Sequence, residues 1–415
     1  MIQFAVLGYG TVGSGVVEVF FRNRESLEKK AGVPLGLKYI LDVREFPDSP
    51  YKDLFVKDFD TILNDASVGV VAEVIGGVEP ALTFTKACLE RGKSVVTSNK
   101  ELVAQHGAEL LAIARANNVN YLFEASVGGG IPIIRPLHSC LAANRIEEVI
   151  GILNGTTNFI LTKMFREGMS FESALALAQR LGYAERDPAA DVEGHDACRK
   201  ICILASLAFG EHVYPHDVSA EGITKITSED VAYAASCGCV IKLIGAARRG
   251  EGGKRMTAYV APAFINRETQ LGTIDDVFNG ILVRGDATGD VVFYGKGAGK
   301  LPTASAVVSD MIACAKADGS SASMSWKPSQ GGKVAPQGDH VTAMYLRCRA
   351  FETNALEEAV KIFGKVKALS RPDKPTNEAA FITPALTERE IDDVCGKLAA
   401  AGVDILGKIR VLADQ

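Results

Sequence analysis

Ile2-Gln3-Phe4-Ala5-Val6-Leu7-Gly8-Tyr9-Gly10-Thr11-Val12-Gly13 runs a mostly apolar, strand-like segment straight into a G-x-G-x-x-G turn. The first glycine of such a turn permits the tight bend, and the second lets a pyrophosphate approach the backbone. The third allows the following helix to pack closely on the strand. That helix, read over Gly13–Lys30, begins apolar and finishes polar. Its N-terminus presents unpaired N–H groups and a partial positive charge to phosphates. Gly8, Tyr9, Gly10, Thr11, Val12 and Gly13 are therefore the candidate dinucleotide-binding residues. Glycine-rich turns are common, so the motif draws its weight from the segments C-terminal to it. Strand-like runs at Leu37–Leu41, Val68–Val74, Lys93–Thr97 and Asn120–Phe123 alternate with helical patterns at Ala81–Arg91 and Gly107–Asn117. Repeated βα units of this kind build a Rossmann-type, doubly wound parallel sheet with ligands at the carboxyl ends of its strands.

The choice of dinucleotide stays open at this level. An acidic residue ending the second strand commonly holds the ribose 2′-OH of NAD about 20 residues on. Asp42 stands 42 − 13 = 29 positions after the last glycine, a gap that a longer first helix explains. Arg44 could instead meet the 2′-phosphate of NADP. Either also reads as a solvated surface charge.

Past about residue 136 the alternation becomes less regular. Ile146–Leu153 and Thr257–Val260 read as strands, with helices between them at Phe159–Glu167, Phe171–Gly182 and Asp196–Phe209. The pattern predicts a central α+β domain over 137–299. A helix at about 300–318, with Pro302 near its start, returns to the dinucleotide-binding domain of residues 1–136. Ser, Gly and Pro mark 319–339 as a linker. A βαββαβ pattern then fills 340–415: Val341–Phe351, Ala355–Phe363, Val366–Leu369, Glu378–Ile382, Thr387–Ala400 and Ile405–Leu412.

With 45 basic against 50 acidic side chains, the net charge of −5 offers no attraction to nucleic acid or to an anionic membrane surface. No apolar run approaches the roughly 18–20 residues that span a bilayer. Met1 leads directly into a strand with no basic flank or cleavage site. The nine cysteines are scattered, and the close pairs Cys198/Cys202 and Cys237/Cys239 lack zinc-ligand spacing. Reduced thiols and a cytoplasmic setting are expected.

Chemistry concentrates between Ala178 and Lys200, a charge-dense connector between two apolar helices. Asp187-Pro188 and Gly194 break helix, which places Glu185 and Asp191 on loop. Asp196 and Lys200 share a helical face at i, i+4. Spacing alone describes a surface ion pair worth about 0.3–0.5 kcal/mol. The apolar run Ile201–Leu207 argues otherwise, because it puts Lys200 where water is scarce. Desolvation lowers a lysine pKa toward the range useful for proton transfer, while an acidic neighbour restrains the shift. Glu185 and Asp196 together could bind an ammonium group, which suits a small zwitterion. No cysteine sits beside an evident base, so acyl-thiol chemistry is disfavoured.

The same stretch resembles the signature of the homoserine dehydrogenases, through Gly182, Tyr183, Asp187-Pro188, Asp191, Gly194, Asp196 and Lys200. The opening Gly8–Gly13 turn is also similar, as are Thr97-Ser98-Asn99-Lys100, the run from Glu124 to Pro132, Asn154-Gly155-Thr156-Thr157-Asn158, Gly297-Ala298-Gly299 and Pro302-Thr303-Ala304. These motifs keep the family's order from residue 1 to about 316.

The resemblance implies reversible hydride transfer between NADPH or NADH and L-aspartate 4-semialdehyde, giving L-homoserine. It makes Lys200 the proton donor and acceptor, with Lys100 beside both the nicotinamide and the substrate oxygen. It gives the substrate ammonium to Glu185 and Asp196, and the other end of the amino acid to Thr156. Ser98, Gly182, Gly297 and Gly299 join the glycine-rich turn at the cofactor. Backbone carbonyls of Glu124, Val127, Gly129 and Ile131 would hold a monovalent cation, sodium in this family. Residues alone make Lys100 a helix-start lysine, Thr156 a turn hydroxyl and the Gly128-Gly129-Gly130 loop a flexible one. Family members pair through the middle domain, so a homodimer or higher homo-oligomer is expected. The last unit is similar to an ACT domain, an amino-acid-sensing module. Its Glu352-Thr353-Asn354-Ala355 turn lacks the Pro-Gly of the usual ligand loop. The competing reading is a non-catalytic dinucleotide and amino-acid sensor, disfavoured because a sensor needs no proton donor.

Overall fold

A computed structural model describes residues 1–250, 252, 255–317 and 324–412. Within the expected linker, residues 319–323 lie outside the described residues, as do 413–415 at the end of the chain. The chain divides into two compact units. One comprises Met1–Arg145, Cys202–Pro215 and Gly295–Gln330; the other comprises Ile146–Ile201, His216–Tyr294 and Gly331–Gln415.

The first unit is built on six parallel strands: β1 (Ile2–Leu7), β2 (Leu35–Leu41), β3 (Phe55–Val56), β4 (Val68–Glu73), β5 (Ser94–Thr97) and β6 (Tyr121–Leu122). Their order is β3-β2-β1-β4-β5-β6, so the chain reverses its winding between β1 and β4. Ligands of open α/β sheets sit at the carboxyl ends of the strands, at this switch point. Ala5, Val6, Leu7, Val71, Ala72, Val95 and Val96 are fully buried on both faces, which is why these strands read as continuous apolar runs. Phe4, Val16, Val17 and Phe20 pack with Ala304, Val307 and Met311 of the returning Lys300–Lys316 helix.

Two helices of this unit start earlier than expected. The first spans Thr11–Ala31, with Gly10 at its N-cap and Gly32 closing it at φ 74°. The fourth begins at Lys100, seven residues before Gly107, because the Asn99 side chain accepts the Leu102 N–H at 3.1 Å and caps it. The short β3 and the Phe59–Leu63 helix are not legible in the hydrophobic pattern.

The second unit holds an 11-stranded mixed sheet: β7 (Ile146–Ile152), β8 (Ser219–Ala220), β9 (Cys239–Arg248), β10 (Thr257–Asn266), β11 (Phe278–Gly285), β12 (Gly289–Lys296), β13 (Val341–Ala350), β14 (Lys367–Leu369), β15 (Glu378–Ile382), β16 (Leu386–Thr387) and β17 (Val403–Leu412). The main path is β12-β11-β7-β9-β10-β17-β13-β15-β14. Strand β10 continues past the expected Val260 to Asn266, carrying Pro262 opposite Leu243. Strands β9, β11 and β12 and the Ser228–Ser236 helix are absent from the sequence expectation, partly because glycines interrupt the β character of the strands. One of these, Gly245, makes room for packing: a Cβ there would stand 2.7 Å from the Leu153 side chain.

The parallel pairing of β10 with β17 joins the C-terminal elements to the sheet. These elements run strand, helix, strand, strand, helix, strand, with the two-residue β16 added before the second helix. That helix, Glu388–Ala400, is closed by the expected box of Thr387 with Glu390. A buried ionic cluster ties the Ser228–Ser236 helix to β13 and β15. Asp230 accepts from Arg347 Nε (2.9 Å) and the Tyr345 hydroxyl (3.0 Å), and Glu378 accepts from the Tyr233 hydroxyl (2.9 Å).

All nine cysteines are free thiols. Among the described residues, no helix is long and apolar enough to cross a membrane. None of their His, Cys, Asp and Glu side chains cluster in threes suited to a metal ion.

Candidate active site

The glycine-rich turn connects β1 to the Thr11–Ala31 helix in the first unit. Gly8 takes φ +97°, and a Cβ on Gly13 would lie 1.9 Å from the Gly8 carbonyl oxygen. A Cβ on Gly10 would meet nothing within 4 Å. Packing therefore demands glycine at the third position, whereas the second opens onto free space above the helix N-terminus.

Asp42 comes directly after β2 and is nearly buried, at 8% exposure, so the surface-charge reading fails for it. Its Oδ2 accepts the Tyr9 N–H (2.8 Å) and Arg44 Nη2 (2.9 Å), and its Oδ1 accepts the Arg44 N–H (2.9 Å) and Nε (3.0 Å). The Arg44 guanidinium holds the Asp42 carboxyl well below the usual carboxylate range. Sequence offers Asp42 and Arg44 as alternatives; the structure joins them in one bidentate pair that also braces the glycine-rich turn.

At the carboxyl ends of β4 and β5, Glu73 is fully buried and accepts the Ile75 N–H (2.8 Å) and the Thr97 hydroxyl (2.7 Å). Burial raises its pKa against those hydrogen bonds. Asn99 Nδ2 donates to the Gly77 carbonyl (2.6 Å). Ser98 and Lys100, both half-buried, flank Asn99, and Lys100 is the first residue of its helix. Glu73 and Asn99, to which the sequence assigns no role, thus fix both the Ile75–Gly77 turn and the base of Lys100.

The Glu124–Ile131 loop comes after β6. The Glu124 carboxylate accepts three backbone N–H groups, from Ile133, Ile134 and Arg135, at 2.6–2.8 Å. Val127 and Ile131 are each 1% exposed, yet among the described residues the carbonyls of Val127, Gly129 and Ile131 accept no backbone hydrogen bond. Buried carbonyls that no backbone N–H reaches are ordinarily paired with a side chain, water or an ion. Gly129 takes φ +55°, and a Cβ there would lie 2.4 Å from the Gly297 carbonyl oxygen. The loop is consequently fixed in shape against the Gly297-Ala298-Gly299 turn.

The acid/base cluster belongs to the second unit. Lys200 Nζ donates to Asp196 Oδ2 (2.9 Å) and to the Leu153 carbonyl (2.7 Å). Lys200 is 6% and Asp196 5% exposed, which excludes a solvated surface pair. Asn154 Nδ2 donates to Asp191 Oδ1 (2.7 Å) and Asp196 Oδ2 (3.0 Å). Asp191, expected on loop, instead sits in the single-turn helix Ala189–Val192, because Pro188 starts a helical turn rather than ending one. Burial, then the neighbouring Asp196, raises its pKa.

Thr156, 8% exposed, donates its hydroxyl to the Tyr183 carbonyl at 2.6 Å. It thereby ties the start of the Gly155–Glu167 helix to the turn that carries Glu185. Glu185 itself is exposed, and so is Gly182 at φ +75°. Thr156, Asp196 and Lys200 are thus gathered with two residues to which the sequence assigns no role, Asn154 and Asp191. The signal for Asn154 is its place as N-cap of that helix, whose Thr157 N–H it accepts at 2.9 Å.

A dinucleotide turn and a buried lysine–carboxylate pair belong to an NAD(P)-dependent oxidoreductase acting on a CH–OH group. Two family models match the sequence, "Homoserine dehydrogenase" over residues 132–312 and "Homoserine dehydrogenase, NAD binding domain" over residues 8–124. The chain belongs to the homoserine dehydrogenase family.

Among curated relatives, the homoserine dehydrogenase of Synechocystis sp. is 44% identical over 316 residues, covering 75% of this chain and 72% of that protein. The Bacillus subtilis homoserine dehydrogenase is 44% identical over 319 residues, covering 76% and 73%. The crystal structure of a homoserine dehydrogenase from Thiobacillus denitrificans superposes with a TM-score of 0.90 at 36% identity, covering 99% of this chain and 98% of that one. A hyperthermophilic archaeal homoserine dehydrogenase in complex with NADPH covers 75% of this chain and 97% of its own, with a TM-score of 0.63 at 27% identity. The N-terminal parallel sheet and the mixed sheet accord with these structures.

Proposed function

We propose that the protein interconverts L-homoserine and L-aspartate 4-semialdehyde, with Lys200 exchanging the proton at the substrate oxygen. The observation that carries this reading is the buried Lys200–Asp196 pair, held by Leu153 and Asn154. The dinucleotide, when bound, supplies or accepts the hydride. Gly8 to Gly13, Asp42, Arg44, Ser98, Lys100, Gly182, Gly297 and Gly299 are its proposed contacts. As negative charge develops on the aldehyde oxygen, Lys200 delivers a proton and Lys100 stabilises the charge. A positioned donor at such an oxygen is worth about 3–4 kcal/mol. Asp196 pairs with Lys200 and aims it, and with Glu185 receives the substrate ammonium, while Thr156 orders the opposite end.

A monovalent cation, sodium in this reading, takes the carbonyls of Glu124, Val127, Gly129 and Ile131. Support comes from the buried carbonyls of that loop that lack backbone donors, and neutral ligands suit a singly charged ion. The Glu124 carboxylate is committed to backbone N–H groups, which leaves only its carbonyl for the ion. The division into domains at 1–136, 137–299 and 340–415, an ACT-like character for the last, a homo-oligomer paired through the middle domain and a cytoplasmic setting complete the proposal. Purified protein given L-homoserine with NADP or NAD at alkaline pH should build up the reduced-nicotinamide absorbance. Inactivity with both cofactors would favour the sensor.

A further inference from the structure

We infer that Asn154 is a positioning residue for the proton-transferring lysine, acting by bridging two carboxylates and fixing the one that faces Lys200. The inference rests on the role proposed for Lys200 and deepens it. Asn154 is 5% exposed and uses the full hydrogen-bonding capacity of its amide. Its Oδ1 accepts from the Thr157 N–H (2.9 Å) and the Thr157 hydroxyl (3.0 Å). Its Nδ2 divides its two hydrogens between Asp191 Oδ1 (2.7 Å) and Asp196 Oδ2 (3.0 Å). The amide has one tenable orientation, since a flip would point its oxygen at two carboxylates and its NH₂ at two donors.

That geometry has three consequences. First, the same oxygen of Asp196 that receives Asn154 also receives Lys200 Nζ at 2.9 Å, so the amide sets the carboxylate rotamer that the lysine meets. Second, the residue before Asn154 supplies the other partner of the lysine, the Leu153 carbonyl at 2.7 Å. Leu153 and Asn154 therefore hold the lysine by backbone and its carboxylate by side chain, as one unit. Third, burial and the neighbouring Asp196 push the Asp191 pKa up, and the hydrogen bond from the shared amide donor opposes that rise. The Thr157 bonds anchor all this to the N-terminus of the Gly155–Glu167 helix, so the arrangement is set before substrate arrives.

Asn154→Asp and Asn154→Ser test the inference, because both replacements still cap a helix while neither offers two donors. The aspartate adds a third carboxylate, and the serine can satisfy only one. In the full-length protein, kcat with L-homoserine should fall about tenfold or more in each variant, the loss expected of a misplaced catalytic group. In Asn154→Asp the acid limb of the kcat/KM profile should also move to higher pH. The KM for the dinucleotide should change less than about twofold, because none of the side chains bonded to Asn154 is a proposed dinucleotide contact. Lys200→Ala serves as the companion measurement. If Lys200→Ala is inactive while both Asn154 variants keep wild-type kcat and pH profile, the positioning role is wrong and the Lys200 reading survives. If Lys200→Ala keeps its turnover, the reading on which the inference rests falls first.

Discussion

Replacing the second and third glycines of the nucleotide turn separately should damage two different properties. A Cβ on Gly13 would stand 1.9 Å from the Gly8 carbonyl oxygen, where ordinary contact starts at 3.4 Å, so 3.4 − 1.9 = 1.5 Å of displacement is needed. The obstacle is backbone that cannot yield cheaply. Gly8 is held at φ +97°, and its N–H is bonded to the Leu41 carbonyl at 2.8 Å. Gly13→Ala should therefore cost about 3 kcal/mol or more, at the severe end of overpacking. That corresponds to a fall of about 6–12 °C in the melting temperature of the first unit. Gly10→Ala meets nothing within 4 Å and sits at φ −79°, so its effect on stability should stay within about 0.5 kcal/mol. On the proposed binding mode its methyl would stand in the path of the pyrophosphate, which should weaken NADPH binding about tenfold or more, or about 1.4 kcal/mol. Melting curves without cofactor and NADPH fluorescence titrations measure both. A Gly10→Ala protein that binds NADPH normally, or a Gly13→Ala protein that melts like the parent, would refute the division of labour.

Further expectations concern the rest of the molecule. Arg44→Ala should weaken NADP more than NAD, measured as a change in the ratio of their KM values, because it removes the only guanidinium bonded to Asp42 among the described residues. The Asp42 pKa is depressed on folding, so its stabilisation is present above the unfolded carboxylate value, near 4, and is lost as pH falls below it. Arg44→Ala removes the largest cause of that depression, and acid melting of the cofactor-free protein should begin at higher pH. Asp230→Ala takes the nearer carboxylate from the buried Arg347, leaving it Glu378 at 3.5 Å, and should destabilise the second unit by about 3 kcal/mol, seen by thermal melting. Replacing sodium and potassium by choline should depress activity, reversibly on adding either ion back; full activity in choline would remove the case for a carbonyl-bound cation.

The first unit is readable in sequence because its parallel strands are buried on both faces and leave uninterrupted apolar runs. Its glycine-rich turn likewise carries its reasons in residue type. The second sheet is harder to see. Strands β9 and β11 contain Gly245 and Gly280, each placed where the side chain of a connecting residue, Leu153 or Ile274, presses on the sheet. The Gly245 contact reaches back to Leu153 and the Gly280 contact to Ile274 in the turn before its strand, and neither leaves a local periodicity. At the site, the i, i+4 spacing finds Asp196 and Lys200, but spacing cannot report burial, and the surface pair it suggests is almost wholly enclosed. Asn154 and Asp191 lie 37 residues apart, and only the fold brings their side chains together. Asp42 and Arg44 stand as rivals in the sequence because it shows two opposite charges without showing that they bond.

The most direct measurement of the central claim is turnover by Lys200→Ala alongside NADPH binding by the same protein. With Lys200 as the proposed general acid, its loss should reduce the rate of NADPH oxidation with L-aspartate 4-semialdehyde by about 100-fold or more. The dissociation constant for NADPH should stay near that of the parent. A variant that binds NADPH and still turns over at the parental rate would show that Lys200 does not carry the proton.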